Sequence, residues 1–473
     1  MSMLSELFSL VTQVVIQQTW QQQEMRLVQV PKVVGVKKAL LPFGPRDVIG
    51  KDGTNILEIG DIGSGKSNGA GTIIEMFIPM VEAGELTLCV LDPKGDMLQY
   101  LPLGITEAFD SARAMAAWAI LYAIDGLDPA TQAEWFMDDL HAMWKDTIET
   151  GRVDNHVPYA IIPVLENKRD LLTVLDVLRG LKLPIKNAEA IKHWNYVYKE
   201  LHPQARAQQL ESSFNRLAPF AQTPLIKNLV THKTPWDMYK PIREGGYIYQ
   251  SLPYYRPLSK KHAVYLSTLW LNALIRTKLH LGDKAPPLFI VIDEAQVLMA
   301  HDVGLLQFVL DSGRSLGIFM FCICHTLSQV KKSNPELLES VKQNCQVKGV
   351  GRGQNLEEYM TLAQMLHGAQ WTPTMVRDER IRKNAEGEDE VTARQLKEIA
   401  VFCFEKAVEL SGQETGEFTW KVKGKTPERY RFALRTPVVH DFSKFHGRRD
   451  YLKLNMFGEQ SDGKLFDKEE SNE

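Results

Sequence analysis

The residues best suited to chemistry form a glycine-rich run in the first sixth of the chain. The run fits G-x-x-x-x-G-K-[ST], the pattern of a loop that wraps around nucleotide phosphates. Glycine lets successive backbone N–H groups curl around an anion, lysine reaches the β- and γ-phosphates, and serine binds Mg²⁺. The predicted nucleotide-binding residues are Gly60, Asp61, Ile62, Gly63, Ser64, Gly65, Lys66, Ser67 and Asn68.

The segments on either side of this run are the ones that a phosphate-binding loop requires. An apolar, strand-like stretch (56–59) comes just before it, and a mostly apolar, helix-length segment (68–83) follows. In a strand–loop–helix unit the helix N-terminus adds partial positive charge beside the phosphates. The context therefore favours a phosphate loop over a chance glycine turn.

A second chemical pattern lies far along the chain, where the apolar run 286–292 ends in Asp293 and Glu294. A buried parallel strand reads as a continuous apolar run, and ligands bind at the carboxyl ends of such strands. We expect Asp293 to hold Mg²⁺, directly or through water, together with Ser67. We expect Glu294 to act as the general base for the attacking water. Alone, the run fits a buried strand with a polar exit; beside a phosphate loop it predicts ATP hydrolysis with Mg²⁺.

The spacing of the two patterns predicts the domain organisation. Lys66 and Asp293 lie 227 residues apart, and much of the intervening sequence has helical periodicity. Apolar strands alternating with helices indicate an α/β fold, a RecA-like P-loop motor with a mostly parallel central sheet and an inserted all-α domain. The predicted segments are an N-terminal tail or helix (1–45), the motor (46–102 and 241–375), the all-α domain (103–240), a C-terminal segment closing the motor (376–445) and a polar, disordered tail (446–473).

The bulk composition limits the classes of protein that fit. The net charge of −3 over 473 residues excludes a globally basic nucleic-acid binder. The five cysteines form no C-x-x-C pair, which indicates reduced thiols and a cytoplasmic location, peripheral to a membrane only through partners. Cys322 and Cys324 are expected to share one face of a strand. No secretory signal and no apolar run of membrane-spanning length is present in the sequence.

Several motifs together resemble the FtsK–HerA superfamily of DNA-pumping ATPases, and within it the conjugative type IV coupling proteins of the TraG/TraD kind. The resemblance covers about residues 40–440. It is carried by the phosphate loop, by Asp-Pro-Lys-Gly-Asp at 92–96, by Asp293-Glu294 and by a strand ending at His325. The helical insertion and the closing strands at 418–435 are also similar to that group.

The resemblance implies roles for two further residues. His325 stands where the family usually has a glutamine that senses the γ-phosphate, and a neutral imidazole can donate one hydrogen bond. Arg314 resembles the arginine that such motors project toward the nucleotide of a neighbouring subunit. Two alternatives stay open: a polar residue at a strand end for His325, and a surface arginine for Arg314. Lys94 and Asp96 fit the site, a DNA channel or a simple turn. The predicted catalytic set is Lys66, Glu294, His325 and Arg314.

The resemblance also implies the partners, which are DNA, further copies of the chain in a ring expected to be a hexamer, and a secretion, relaxase or nuclease protein. The chain departs from membrane-anchored coupling proteins in lacking transmembrane helices, and from HerA-type proteins in leaving little room for an N-terminal β-barrel. Local basic clusters such as Lys260-Lys261 are short, so DNA binding depends on the resemblance. Two alternatives therefore stay open: a nucleotide-dependent ATPase that recruits proteins without translocation, and a viral genome-packaging motor.

Overall fold

A computed structural model gives the three-dimensional structure of the chain. Residues 1–38 and 39–473 form two compact units. Of the first unit only the two-residue strand Lys37–Lys38 is described, so the predicted N-terminal helix lies outside the described residues, as does the 446–473 tail. The structure describes residues 37–38, 41–110, 121, 123–143, 155–221, 226–227, 230, 238–253, 258–300, 304–353, 355–368, 373–383, 389–433, 435 and 437–440.

A mixed, mostly parallel sheet forms the centre of the second unit. Seven of its nine described strands run parallel to one another, in the order β7-β1-β6-β5-β2-β4-β3. A hairpin, β10 and β11, adds two antiparallel strands beside β7. The strands are Asn55–Ile59 (β1), Thr87–Leu91 (β2), Glu107–Asp110 (β3), Gly246–Ser251 (β4), Leu288–Ile292 (β5), Ile318–Cys324 (β6), Cys345–Gly351 (β7), Glu417–Lys421 (β10) and Glu428–Arg431 (β11).

The central strands are buried on both faces. Every residue of β1, β2, β5 and β6 is buried, which is why these strands are continuous apolar runs in the sequence. Alternate residues of β6 enter different cores, because successive side chains of a strand point to opposite faces. Cys322 and Cys324 lie in one core and Phe321 and Ile323 in the other. The prediction that the two cysteines share a face is therefore confirmed.

Helices cover the sheet and connect its strands. The longest, α10, begins at an N-cap in which the Ser259 side chain accepts a hydrogen bond from the His262 N–H at 3.3 Å. The helices are Pro45–Val48 (α1), Lys66–Glu75 (α2), Ile78–Glu82 (α3), Pro129–Met143 (α4), Val157–Glu166 (α5), Leu171–Leu178 (α6), Ala188–Lys192 (α7), Pro203–Leu217 (α8), Tyr239–Glu244 (α9), Lys260–Leu281 (α10), Ala295–Met299 (α11), Leu305–Ser312 (α12), Ser328–Ser333 (α13), Pro335–Asn344 (α14), Leu356–His367 (α15) and Val401–Ser411 (α16).

The described residues of the predicted all-α segment, 103–240, are mainly helical, with a strand near the start of the segment. Its described residues form α4 to α8, the first part of α9 and a π-helix, His193–Tyr198. The boundary at 103 is wrong, because Glu107–Asp110 is a strand that pairs in parallel with β4. A four-residue strand at the edge of a sheet carries too short a pattern to be distinguished from a helix start.

Two other boundaries differ from the sequence prediction. The helix expected over 68–83 is two helices, α2 and α3, separated by a turn at Met76–Phe77, with Pro79 in the first turn of the second. The motor boundary at 375 falls inside a strand, because Pro373–Lys383 (β8) and Asp389–Ala400 (β9) form a separate antiparallel hairpin. In the described part of the chain, no helix has the length and apolar character needed to cross a bilayer.

Candidate active site

The parallel sheet brings the two chemical patterns to one edge. Ile59, the last residue of β1, pairs with Cys324, and Ile292, the last residue of β5, pairs with Cys322. The phosphate loop after β1, the acids after β5 and the residue after β6 therefore leave the sheet side by side. This is the edge at which open α/β sheets bind ligands.

The phosphate loop has the backbone that its glycines predict. Gly63 and Gly65 have φ angles of 77° and 97°, in a region that favours glycine. A Cβ on Gly63 would meet nothing within 4 Å, so the loop is open on that side of Gly63. A Cβ on Gly65 would lie 3.0 Å from the backbone nitrogen of Gly416. The loop is therefore shaped for an anion on one side and packed against protein on the other.

The C-terminal part of the chain supports the loop from outside. The Gly416 N–H donates to the Ser64 carbonyl at 2.8 Å, and the Thr415 hydroxyl donates to the Gly63 carbonyl at 3.3 Å. Asn68, in the first turn of α2, donates to the Ala433 carbonyl and accepts from the Arg435 N–H. The side chain of Asn68, which the sequence predicts to bind nucleotide, is therefore hydrogen-bonded to the C-terminal segment.

Lys66 lies at the start of α2, with its ammonium group turned toward the loop. It donates to the carbonyls of Gly60 and Asp61 at 2.5 and 2.9 Å, and lies 2.7 Å from Nδ1 of His325. Burial lowers the pKa of Lys66, against nearby Glu58, Asp293 and Glu294, whose charges raise it. A cation that is largely desolvated and surrounded by acceptors is well placed to neutralise phosphate charge.

Asp293 begins the turn that follows β5. Its N–H donates to the Leu91 carbonyl at 2.9 Å, so β2 fixes its position, and its side chain is 5% exposed. Burial, together with the charges of Asp92 and Glu294, raises the pKa of Asp293 to about 7. A crowded, desolvated carboxylate of this kind is stabilised when a divalent cation binds beside it.

Glu294 has a strained backbone and a fully engaged carboxylate. Its φ of 50° and ψ of 40° place it in the left-handed region, which is rare for a residue with a side chain. One oxygen, Oε1, contacts Lys94 and Nε2 of His325, and the other accepts from Gln296 at 2.6 Å. Burial acts to raise the pKa of Glu294, but the hydrogen bonds from His325 and Lys94 hold it at about 2.

His325 links the phosphate loop to the acids. Its ring Nδ1 faces Lys66, and its ring Nε2 faces Glu294 and Lys94. The backbone N–H of His325 donates to the side-chain oxygen of Gln296 at 3.4 Å. The imidazole therefore lies between the lysine that would bind phosphate and the carboxylate that would activate water. This is a position from which a γ-phosphate can be sensed, the role that the resemblance implies for this residue.

Arg314 lies away from this cluster in its own chain. It belongs to the 3₁₀ turn Gly313–Leu316, before β6 begins, whereas His325 follows the end of β6. The seven residues of the strand span about 23 Å. Arg314 is therefore at the opposite edge of the sheet, and its role toward a neighbouring subunit stays a prediction.

Sequence reasoning left the role of Lys94 open and did not identify Glu58. Lys94 enters the cluster from the loop after β2, and its Pro-Lys-Gly sequence reads equally well as a turn. Glu58, on β1, is fully buried, and neither carboxyl oxygen has a hydrogen-bond partner among the described residues. Burial raises the pKa of Glu58 well above its ordinary value. The sequence does show Glu58 as an acidic residue inside the otherwise apolar run 56–59, and this was the signal that could have identified it.

These residues fit a magnesium nucleotide. The open side of the loop at Gly63 and the buried ammonium of Lys66 suit phosphate oxygens. Ser67, partly exposed in the first turn of α2, and Asp293 supply the oxygen ligands that Mg²⁺ prefers. No group of three His, Cys, Asp or Glu side chains that could hold a metal ion occurs within the described ranges.

Solved structures of a bacterial conjugative coupling protein, TrwB, have a similar fold. Its complex with a non-hydrolysable GTP analogue superimposes with a TM-score of 0.58 at 13% identity, covering 89% of this chain and 94% of that one. Its complex with ADP and Mg²⁺ gives 0.57 at 13%, covering 87% and 91%. The unbound form gives 0.55 at 13%, covering 84% and 88%.

Sequence comparison adds no further relative. No protein-family model matches the chain, and no curated protein matches it in sequence. At this level of identity the structural likeness is evidence about architecture. The chain thus has the RecA-like P-loop fold of a conjugative coupling protein, as its motifs predicted.

Proposed function

We propose that this chain is an ATP-hydrolysing motor of the type IV coupling-protein kind, which binds DNA and moves it as a ring of subunits. The observation that carries the proposal is the network joining Lys66, His325 and Glu294 at the carboxyl edge of the sheet. A phosphate-binding lysine, a sensing group and a general base in mutual contact are the parts that nucleotide hydrolysis requires.

Each residue has a role in the proposed reaction. Lys66 and the N–H groups at the start of α2 bind the β- and γ-phosphates. Ser67 and Asp293 hold Mg²⁺, which when bound neutralises phosphate charge and orients the leaving group. Glu294 accepts a proton from the attacking water, and His325 places a hydrogen bond beside the γ-phosphate. Among the solved structures of similar fold, TrwB has been observed with ADP and Mg²⁺ and with nucleotide analogues.

DNA binding and ring assembly are supported by the kind of protein that shares the fold. TrwB is described as a bacterial conjugative coupling protein, and the motifs of this chain resemble those of DNA-pumping ATPases of that kind. Arg314 stands at the edge of the sheet opposite the nucleotide site. A hexamer that brings this arginine to the nucleotide of the next subunit would complete the site from outside and link hydrolysis in neighbouring subunits.

The test measures ATP hydrolysis with and without DNA, together with displacement of a protein roadblock bound to the DNA. We expect wild type to hydrolyse ATP, to be stimulated by DNA and to clear the roadblock, and Lys66→Ala to do none of these. Lys284→Ala, at an exposed lysine, is the matched control and should behave as wild type. Nucleotide-dependent capture of a protein partner with no response to DNA would instead favour a recruitment ATPase.

A further inference from the structure

We propose that Lys94 is a positioning residue that restrains Glu294, keeping the general base paired and inactive until the lysine is withdrawn. The inference rests on the proposed function, because it takes Glu294 as the base that activates water. It goes beyond that function by assigning to the loop between β2 and β3 an inhibitory contact with the general base.

The loop that carries Lys94 is constructed around one buried carboxylate. Asp92 is fully buried, and its oxygens accept the N–H groups of Lys94, Gly95 and Met97 at 3.2, 2.7 and 2.8 Å. The Tyr249 hydroxyl also donates to Asp92, at 3.0 Å. A carboxylate that collects several backbone donors fixes the path of a turn. Lys94 is therefore aimed at the site by the fold.

The pairing occupies three of the roughly four acceptor positions of the Glu294 carboxylate and places a cation against it. A carboxylate oxygen has about two lone-pair positions. Oε1 of Glu294 faces both the ammonium group of Lys94 and Nε2 of His325, and Oε2 accepts from the buried Gln296. A carboxylate paired with a cation is a weaker proton acceptor, because protonation gives up the ion pair. Withdrawal of Lys94 would therefore make Glu294 a stronger base for water.

Lys94 is the partner that can leave most easily. Its side chain is 31% exposed, against 21% for His325 and 2% for Gln296. His325 is also held on its far side by Lys66 at 2.7 Å, and Gln296 belongs to the buried helix α11. Lys94 has a long, flexible side chain at the solvent side of the cluster, so an incoming anion can draw its ammonium group away from Glu294.

The same experiment distinguishes this restraint from an alternative role for Lys94, that of a cation that binds phosphate. The ammonium group of Lys94 lies 3.2 Å from Nε2 of His325, whereas Lys66 contacts Nδ1 of the same ring. A lysine that binds the transferred phosphate would occupy the same position as Lys94. A restraint and a phosphate-binding cation predict opposite changes in turnover when the charge is removed. Removing a restraint raises turnover, and removing a catalytic cation lowers it.

The experiment measures kcat and KM for ATP in the absence of DNA for wild type, Lys94→Met and Lys94→Arg. We expect Lys94→Met to raise kcat by about three- to tenfold while KM changes by less than about twofold. Lys94→Arg keeps a cation beside the carboxylate and should restore the wild-type kcat. A fall of kcat in Lys94→Met, toward that of Lys66→Ala, would overturn the proposal.

Controls separate the restraint from the proposed function. Lys284→Met removes an exposed lysine and should leave both constants unchanged. Lys94→Gln gives a second neutral variant, with the same expected rise, should Lys94→Met fail to fold in thermal melting. If wild type hydrolyses ATP and neither neutral variant is faster, the restraint alone is refuted; if wild type and both variants are inactive, the proposed function is refuted with it.

Discussion

The carboxyl edge of the sheet and a histidine pair in the helical segment 129–217 bury titratable groups in different ways. At the sheet edge Lys66, Asp293 and Glu294 are buried with their charges balanced against one another. In the helical segment, His156 and His193 are buried against each other, with their ring nitrogens 3.0 Å apart. The sheet edge retains charge away from water, whereas burial disfavours charge on His193.

The surroundings of His193 explain why this histidine is neutral. Tyr159 stacks on His193 with ring centroids 4.1 Å apart, and the Trp194 indole donates to the Tyr159 carbonyl at 3.0 Å. Burial, and then His156, lowers the pKa of His193 to about 4. Packing alone favours neutral groups, whereas charged groups kept together at the sheet edge suit a charged ligand. The comparison supports the sheet edge as the candidate site.

Removing charge at the sheet edge should have the largest effect on activity. Lys66→Ala and Glu294→Gln are each expected to lower ATP turnover by at least about 100-fold, since phosphate binding and proton transfer depend on these groups. Steady-state kinetics measure the loss, and circular dichroism checks that the fold is retained. Wild-type turnover in both variants would show that the charged edge is not the site.

Much of this edge was predictable from sequence, because its two motifs come with their own strands. The run 60–67 and the pair Asp293-Glu294 each follow an apolar stretch, and parallel strands deliver such exits to one edge. The support from Thr415 and Gly416 was not predictable. About 350 residues separate these from the loop, and the contacts are made largely by backbone atoms, which leave no side-chain signal.

Other elements were missed for different reasons. The strand Glu107–Asp110 takes its stability from pairing with β4, not from its own four residues. Lys94 lies in a sequence typical of a turn, and only the hydrogen bonds of Asp92 show that the turn aims a lysine at Glu294. The boundaries of strands and the contacts made by loop residues thus depend on tertiary pairing, which a single sequence does not show.

Replacing Glu58 should show whether its buried carboxyl group lowers or raises the free energy of unfolding. We expect Glu58→Leu to raise the free energy of unfolding by about 1–3 kcal/mol at pH 8, because a buried carboxyl group without a partner is replaced by an apolar one. Burial raises the pKa of Glu58 in the folded state, so the folded protein binds the proton more tightly than the unfolded chain. The stability of wild type therefore falls as pH rises above the ordinary value of 4.5.

Urea denaturation at pH 5 and pH 8 checks this expectation. The advantage of Glu58→Leu should be larger at pH 8, and Glu58→Gln, which keeps the shape of the side chain, is the matched control. A variant less stable than wild type at both pH values would indicate that the Glu58 carboxyl group stabilises the fold through Lys66.

The smallest expected effect concerns the histidine pair. The pKa of His193 is lower in the folded state, so stability is full above about pH 6.5 and is lost as pH falls toward 4. We expect His193→Phe, which keeps an aromatic ring beside Tyr159, to reduce this loss by about 1 kcal/mol. His156 is the titratable group that faces it.

The comparison of urea unfolding at pH 7.5 and pH 5 measures the histidine effect. Wild type should lose more stability than His193→Phe between the two values. An equal loss in both proteins would mean that the buried histidine is not neutral in the fold, and the contrast with the charged sheet edge would weaken.

The central claim is that the loop at Gly60–Ser67 and the acids at Asp293–Glu294 bind one magnesium nucleotide together. Calorimetric titration with a non-hydrolysable ATP analogue, with and without Mg²⁺, tests it most directly. We predict that Mg²⁺ tightens binding to wild type, that Asp293→Asn removes this gain, and that Lys66→Ala weakens binding in both conditions. Binding that neither substitution alters would contradict the account.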